Sequence, residues 1–140
     1  MNIQLGQYAG FCFGVDRAVN MVEEAAKAGG TVVTLGPIIH NHHVVDRFQR
    51  MGVEVANSPE EVRPGSTVVL RAHGVPRQVE ETLAGLPVHV VDATCPFVKR
   101  IHRLVQEAEA EGRTPVIIGT RTHPEVVGIA SWCRRGMVFE

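Results

Sequence analysis

The stretch Val88-His89-Val90-Val91-Asp92-Ala93-Thr94-Cys95-Pro96 decides how the chain is read. Val88 to Val91 is an apolar run that predicts a short buried strand, and Pro96 opens a helical pattern from Phe97 to Gly112. Cys95 therefore falls where a strand ends and a helix begins. Backbone N–H groups converge at such a joint, and the helix dipole favours negative charge there. A thiol in that place ionises more readily, which suits a nucleophile or a metal ligand. A lone cysteine is more often a small buried hydrophobe. The functional reading gains weight because the same joint recurs along the chain.

Working outward, Thr67-Val68-Val69-Leu70 is a β-branched run followed by Arg71-Ala72-His73-Gly74-Val75-Pro76 and a helix to about Ala84. Pro115-Val116-Ile117-Ile118 is another strand, followed by His123-Pro124-Glu125 and a helix through Ile129. Thr31 to Leu35 forms a strand ahead of Gly36-Pro37-Ile38-Ile39-His40-Asn41, and a helix runs from His42 to about Met51. Near the start, Ile3 and Leu5 alternate with polar residues, which predicts a strand over Asn2–Tyr8. Cys12 follows, between Gly10 and Gly14, and Val15 to Ala28 has helical apolar spacing. Val53–Val55 reads as a short strand, and Ser58-Pro59-Glu60-Glu61 as a capped, brief helix ended by Pro64-Gly65. Gly136–Phe139 begins a last strand.

Alternating strands and helices predict an α/β fold with mainly parallel sheets. In such folds ligands gather beyond the carboxyl ends of the strands. Cys12, His40, His73, Cys95 and His123 are all expected at those ends, lining one cleft. A single histidine at a helix start is commonly a cap or a solvated side chain; five residues at equivalent joints point to a shared site. Thiolates select iron–sulfur or zinc, and helix N-termini with imidazoles suit phosphate groups. Glu125 could deliver protons, although an acid in a first helical turn is more often a dipole partner. Neither of the two joint cysteines belongs to a Cys-x-x-Cys pair, which weakens a zinc-ribbon reading.

Composition sets the limits. The 140 residues are 44% hydrophobic and 21% charged with a net charge of −1, as for an ordinary globular chain without a basic footprint for nucleic acid. No run is long enough to span a membrane, and three cysteines without a secretory leader fit a reducing, cytoplasmic setting.

Five motifs then carry a resemblance. Gly10-Phe11-Cys12-Phe13-Gly14-Val15-Asp16-Arg17-Ala18, Gly36-Pro37-Ile38-Ile39-His40-Asn41, Arg71-Ala72-His73-Gly74-Val75, Asp92-Ala93-Thr94-Cys95-Pro96 and His123-Pro124-Glu125-Val126 resemble, in order, the motifs of the 4-hydroxy-3-methylbut-2-enyl diphosphate reductase (IspH/LytB) family. The resemblance implies an oxidoreductase at the last step of the methylerythritol phosphate route to isoprenoids. The reaction is reductive dehydroxylation of an allylic diphosphate to isopentenyl and dimethylallyl diphosphates. It implies a 4Fe–4S cluster on three cysteines, with Cys12 and Cys95 as two of the ligands and the third not identifiable here. His40, His73 and His123 would bind the diphosphate, Glu125 would relay protons, and a ferredoxin or flavodoxin would supply electrons. It also implies three similar α/β units around the cluster. The chain would hold the first, residues 1–94, and an incomplete second, 95–140, with the third absent. Cys133, after Ala130-Ser131-Trp132, reads as packing, with substitute ligation as the lesser reading. Two alternatives remain: a non-catalytic module binding diphosphate or metal, and a hydrolase or transferase with Cys95 as nucleophile.

Overall fold

A computed structural model describes residues 1–140. In chain order the elements are α1 (Phe13–Ala28), β1 (Val32–Leu35), α2 (His42–Arg50), β2 (Glu54–Ala56), a 3-10 turn (Pro59–Glu61), β3 (Thr67–Leu70), α3 (Arg77–Ala84), β4 (His89–Asp92), α4 (Pro96–Ala110), β5 (Val116–Ile118), α5 (Pro124–Ser131) and β6 (Met137–Phe139). The first four strands form one parallel sheet in the order β2-β1-β3-β4, and β5 pairs with β6, also in parallel, in a second sheet. The fold is thus mixed α/β with parallel sheets.

Period-two alternation assigns the two faces of the larger sheet. Val69 faces a cluster with Val22, Val44 and Phe48 from α1 and α2. Its neighbours Val68 and Leu70 face the opposite cluster, with Leu83 of α3 and Val62. Val22, Val68 and Val69 are fully buried, and each such side chain contributes about 1.5–3 kcal/mol. A third, smaller cluster joins Val105 of α4, Ile117 of β5 and Ile129 of α5.

Register then builds the functional edge. Leu35 pairs with Leu70, and Leu70 with Asp92. Strands β1, β3 and β4 therefore end level, and the loops bearing His40, His73 and Cys95 start side by side. The chain leaves β1 toward β2 on one side and returns to β3 on the other. Between β1 and β3 lies the switch point where open parallel sheets form their ligand crevice.

Three expectations are corrected. Asn2–Tyr8 is not a strand: Ile3 and Leu5 are 75% and 90% exposed, and no strand of this chain lies beside them to pair with. Alternation alone cannot make a strand without a hydrogen-bonding partner. Cys12 therefore follows irregular chain instead of a strand. Ser58 makes no side-chain cap, and the Pro59–Glu61 turn is 3-10. Finally β4 is an edge strand, with His89 and Val90 exposed, so the run before Cys95 is only half buried. No helix is long and apolar enough to cross a membrane.

Candidate functional site

Three imidazoles converge at the switch point. The ring centroids of His40 and His73 are 4.6 Å apart, and each lies 5.8 Å from His123. His40 sits just ahead of Asn41, which caps α2 by accepting a hydrogen bond from the Val44 N–H at 3.4 Å. His73 stands in a tight turn closed by Gly74 N–H donating to the Arg71 carbonyl at 2.9 Å, while Arg71 Nε donates to the Gly74 carbonyl at 3.0 Å. Gly74 has φ +75°, a left-handed conformation that a side chain would strain. His123 is itself the N-cap of α5: its Nδ1 accepts from the Glu125 N–H at 3.2 Å. With Nδ1 an acceptor, the neutral ring carries its proton on Nε2, an outward donor. His40 and His123 are exposed and His73 is half-buried, with its Nδ1 shielded and unpartnered. Burial, then the charges of His40, His123 and Arg71, push the His73 pKa down to about 4. The group is thus three imidazoles held close without a counter-charge, an arrangement that an anion would relieve.

The thiols adjoin this group. Cys95 N–H donates to the Ala72 carbonyl at 2.9 Å, which ties it one residue from His73. Cys12 is the N-cap residue of α1 and Cys95 that of α4. Arg17 of α1 clamps the two helix starts together by donating to the carbonyls of Thr94 at 3.3 Å and Asp92 at 3.4 Å. Asp92 shapes the turn before Cys95: its carboxylate accepts from the Thr94 N–H at 2.9 Å and pairs with Lys99. Burial alone would raise the Asp92 pKa, but those partners outweigh it and hold the group below the usual range. The Cys95 sulfur fills the space beside Gly14, where an added methyl carbon would lie 2.5 Å from it. Both thiols are therefore at the first turn of α1.

Does this donor set fit a cluster? Two thiols at adjoining helix starts suit iron–sulfur ligation in kind, but no group of three or more His, Cys, Asp or Glu side chains is arranged to hold a metal ion. Cys133 adds nothing there. It packs with Val138, Trp132 and Ile117 in the third core cluster, its Sγ 3.7 Å from the Ala130 carbonyl, and burial raises its pKa.

Residues 3–140 match the LytB protein family. The chain belongs to the LytB family. It is 43% identical over 145 residues to the 4-hydroxy-3-methylbut-2-enyl diphosphate reductase of Aquifex aeolicus, covering 100% of this chain and 50% of that protein. The reductase of Geobacter sulfurreducens is 47% identical over 132 residues, with 94% and 46% covered. Among solved structures, an (E)-4-hydroxy-3-methyl-but-2-enyl diphosphate reductase superposes with a TM-score of 0.86 at 44% identity, over 99% of this chain and 50% of that one. The Plasmodium falciparum reductase superposes at 0.92 with 29% identity, over 96% and 43%. The chain thus spans about half the length of these LytB relatives.

Of the residues expected in the site, His40, His73 and His123 are brought together, Cys95 is bonded beside them, and Cys12 shares the α1 terminus with the Cys95 sulfur. Glu125 sits in the first turn of α5, half-buried and without an ion pair. They form an open face, not a closed cleft: none of the five principal cavities is lined by any of these six residues. The glycines around Cys12 were read from the sequence as a close approach of the backbone, and Gly14 makes one to Cys95. Arg17 and Arg71 were not singled out by the sequence; their role as carbonyl clamps shows only in the three-dimensional arrangement.

The depressed His73 pKa has a thermodynamic consequence. Between about pH 6.5 and pH 4 the unfolded chain binds a proton at His73 that the folded chain does not, so stability falls as pH drops through that window and levels below it. His102, also lowered by burial, acts in the same sense. After solvent screening the His73 contribution is on the order of 2 kcal/mol. Denaturant midpoints at pH 7, 5.5 and 4.5 should show the loss, and His73→Gln should shrink it; an equal loss in that variant would remove His73 as its source.

Proposed function

We propose that this chain supplies the diphosphate-binding and part of the cluster-binding half of a 4-hydroxy-3-methylbut-2-enyl diphosphate reductase, corresponding to the N-terminal portion of the relatives. The carrying observation is the three-imidazole group at the switch point, 4.6 to 5.8 Å between rings, flanked by two thiols. Residues 1–94 would be the first of three α/β units and 95–140 part of the second, with the remaining length of the relatives completing the site. The proposed setting is the cytoplasm.

His40, His73 and His123 would hold the diphosphate through ring N–H donors, and protonation on binding would add charge. The substrate's allylic carbon would then stand over the α1 and α4 N-termini, at Cys12 and Cys95. Cys12 and Cys95, with a third cysteine from the remaining length of the relatives, would hold a 4Fe–4S group, which when bound supplies two electrons one at a time, received from a ferredoxin or flavodoxin. Glu125 would deliver a proton to the departing hydroxyl. Two electrons and two protons per substrate replace C–OH by C–H and release one water.

This chain alone offers two suitable thiolates, and under-ligated, exposed clusters are easily lost. Anaerobic reconstitution with iron and sulfide should leave the chain with substoichiometric iron, unchanged in Cys133→Ser. Full, stable cluster absorption that disappears in Cys133→Ser would show that the ligand set is different from the one proposed.

A further inference from the structure

Helix α4 buries Val98, His102 and Val105 along one stripe. His102 is 5% exposed, the one ionisable residue in the core, and its Nε2 is buried without a hydrogen-bond partner. A valine or leucine would fill that stripe with no polar atom to desolvate. At Nε2 the imidazole has no hydrogen-bond partner, so that edge of the ring acts through its shape and place.

Its place is a gap between two loops of the site. A methyl carbon on Gly74, the residue after His73, would lie 3.0 Å from His102 Cε1 and 3.2 Å from Thr94 Cγ2. A methyl carbon on Gly128 of α5 would lie 3.8 Å from His102 Nε2 and 3.8 Å from the His73 carbonyl oxygen. The Cε1–Nε2 edge of the ring therefore packs against both the His73 turn and the helix that His123 caps, beside the point where Gly128 meets the His73 and Val75 carbonyls. Trp132, at the end of the same helix, stacks on the ring with centroids 5.4 Å apart and planes at 22°. His73 hangs from the larger sheet and His123 from the smaller one, and His102 is the side chain wedged where they meet.

We infer that His102 is a positioning residue: packed against both Gly74 and Gly128, it fixes how the His73 turn seats on α5 and so fits the three-imidazole site to a diphosphate over a single phosphate. The inference rests on the diphosphate reading above. A ligand spanning two phosphoryl groups needs donors from both sheets at once, whereas one phosphate can be held by His40 and His73 alone. Loss of the wedge lets the smaller sheet shift, and a shift of about 1 Å between donors is enough to cost much of a two-point contact.

The test is titration of this chain with inorganic pyrophosphate and, separately, with inorganic phosphate, following heat and the histidine ring resonances. The wild-type chain is expected to prefer pyrophosphate. His102→Ala should cut that preference by about tenfold or more while phosphate affinity stays within about twofold. His102→Gln, whose planar amide spans much of the gap, should recover most of it. A His102→Ala chain that keeps the wild-type preference overturns the inference and leaves the diphosphate reading standing. Equal loss for both ligands also overturns it, since that marks general damage. Should the alanine variant not fold, His102→Leu, which fills the core without a flat ring, is judged by the same two outcomes. If the wild-type chain shows no preference for pyrophosphate, the diphosphate reading fails and the inference with it.

Discussion

Glu125→Gln, in a full-length reductase carrying this segment, is expected to lower kcat by about 10²-fold or more with KM little changed. The expectation follows from a division of labour in the site. The donors toward a diphosphate are imidazoles and helix N-termini, with His123 Nδ1 already occupied by the Glu125 N–H at 3.2 Å. That contact uses the Glu125 backbone and leaves its carboxyl free. Glu125 is the only carboxylic acid among the proposed site residues, so it alone can deliver a proton. Glutamine keeps size and polarity but has no acidic proton, so an interaction of the transition state is lost while ground-state binding survives. His40→Ala and His73→Ala should do the reverse and act mainly on KM. Steady-state rates under anaerobic conditions with a chemical reductant separate the two patterns. A raised KM with unchanged kcat in Glu125→Gln would reduce Glu125 to an acid complementing the first turn of α5.

Gly14→Ala should be strongly damaging for a change of one methyl group. The new carbon would lie 2.5 Å from Cys95 Sγ and 3.0 Å from its Cβ. Cys95 has little room to yield, since its N–H is bonded to Ala72 and the preceding turn is held by Arg17 and Asp92. Overpacking of this kind costs about 1–3 kcal/mol. The sulfur would also be displaced from the α1 terminus, and with it one of the two proposed cluster ligands. Denaturant unfolding measures the first effect. The second is read from thiolate-to-metal charge-transfer absorption on adding cadmium, which should weaken in Gly14→Ala and in Cys95→Ser alike. An unaltered band and an unaltered midpoint would mean that Cys95 is not confined by Gly14.

How much of this was legible beforehand follows from what pairing requires. The loops of His40, His73 and Cys95 could be read because β-branched runs ended by turn residues locate parallel strands, and the level ends of β1, β3 and β4 do the rest. Asn2–Tyr8 misled because alternation records a side-chain pattern, while a strand also needs a neighbour. The run before Cys95 looked wholly buried because Val88, Val90 and Val91 are apolar, yet β4 has a partner on one side only. Ser58 looked like a cap, but a single 3-10 turn left nothing for it to cap. His102 was invisible for another reason. Helical spacing places it among Val98 and Val105, and nothing in the order of residues says that Gly74, from the loop after β3, and Gly128, from α5, both pack on it. Arg17 and Arg71 likewise donate to backbone carbonyls, which every sequence has everywhere.

His40, His73 and His123 are proposed to act together as one receptor for a diphosphate. Titrating ¹⁵N-histidine-labelled chain with inorganic pyrophosphate near neutral pH tests it most directly. The account predicts that these three rings shift together with a single dissociation constant, and that the His73 ring, pushed down to about 4 in the free chain, takes up a proton as the anion binds. Independent responses of the three rings, or shifts confined to His42, His43 and His89, would contradict it.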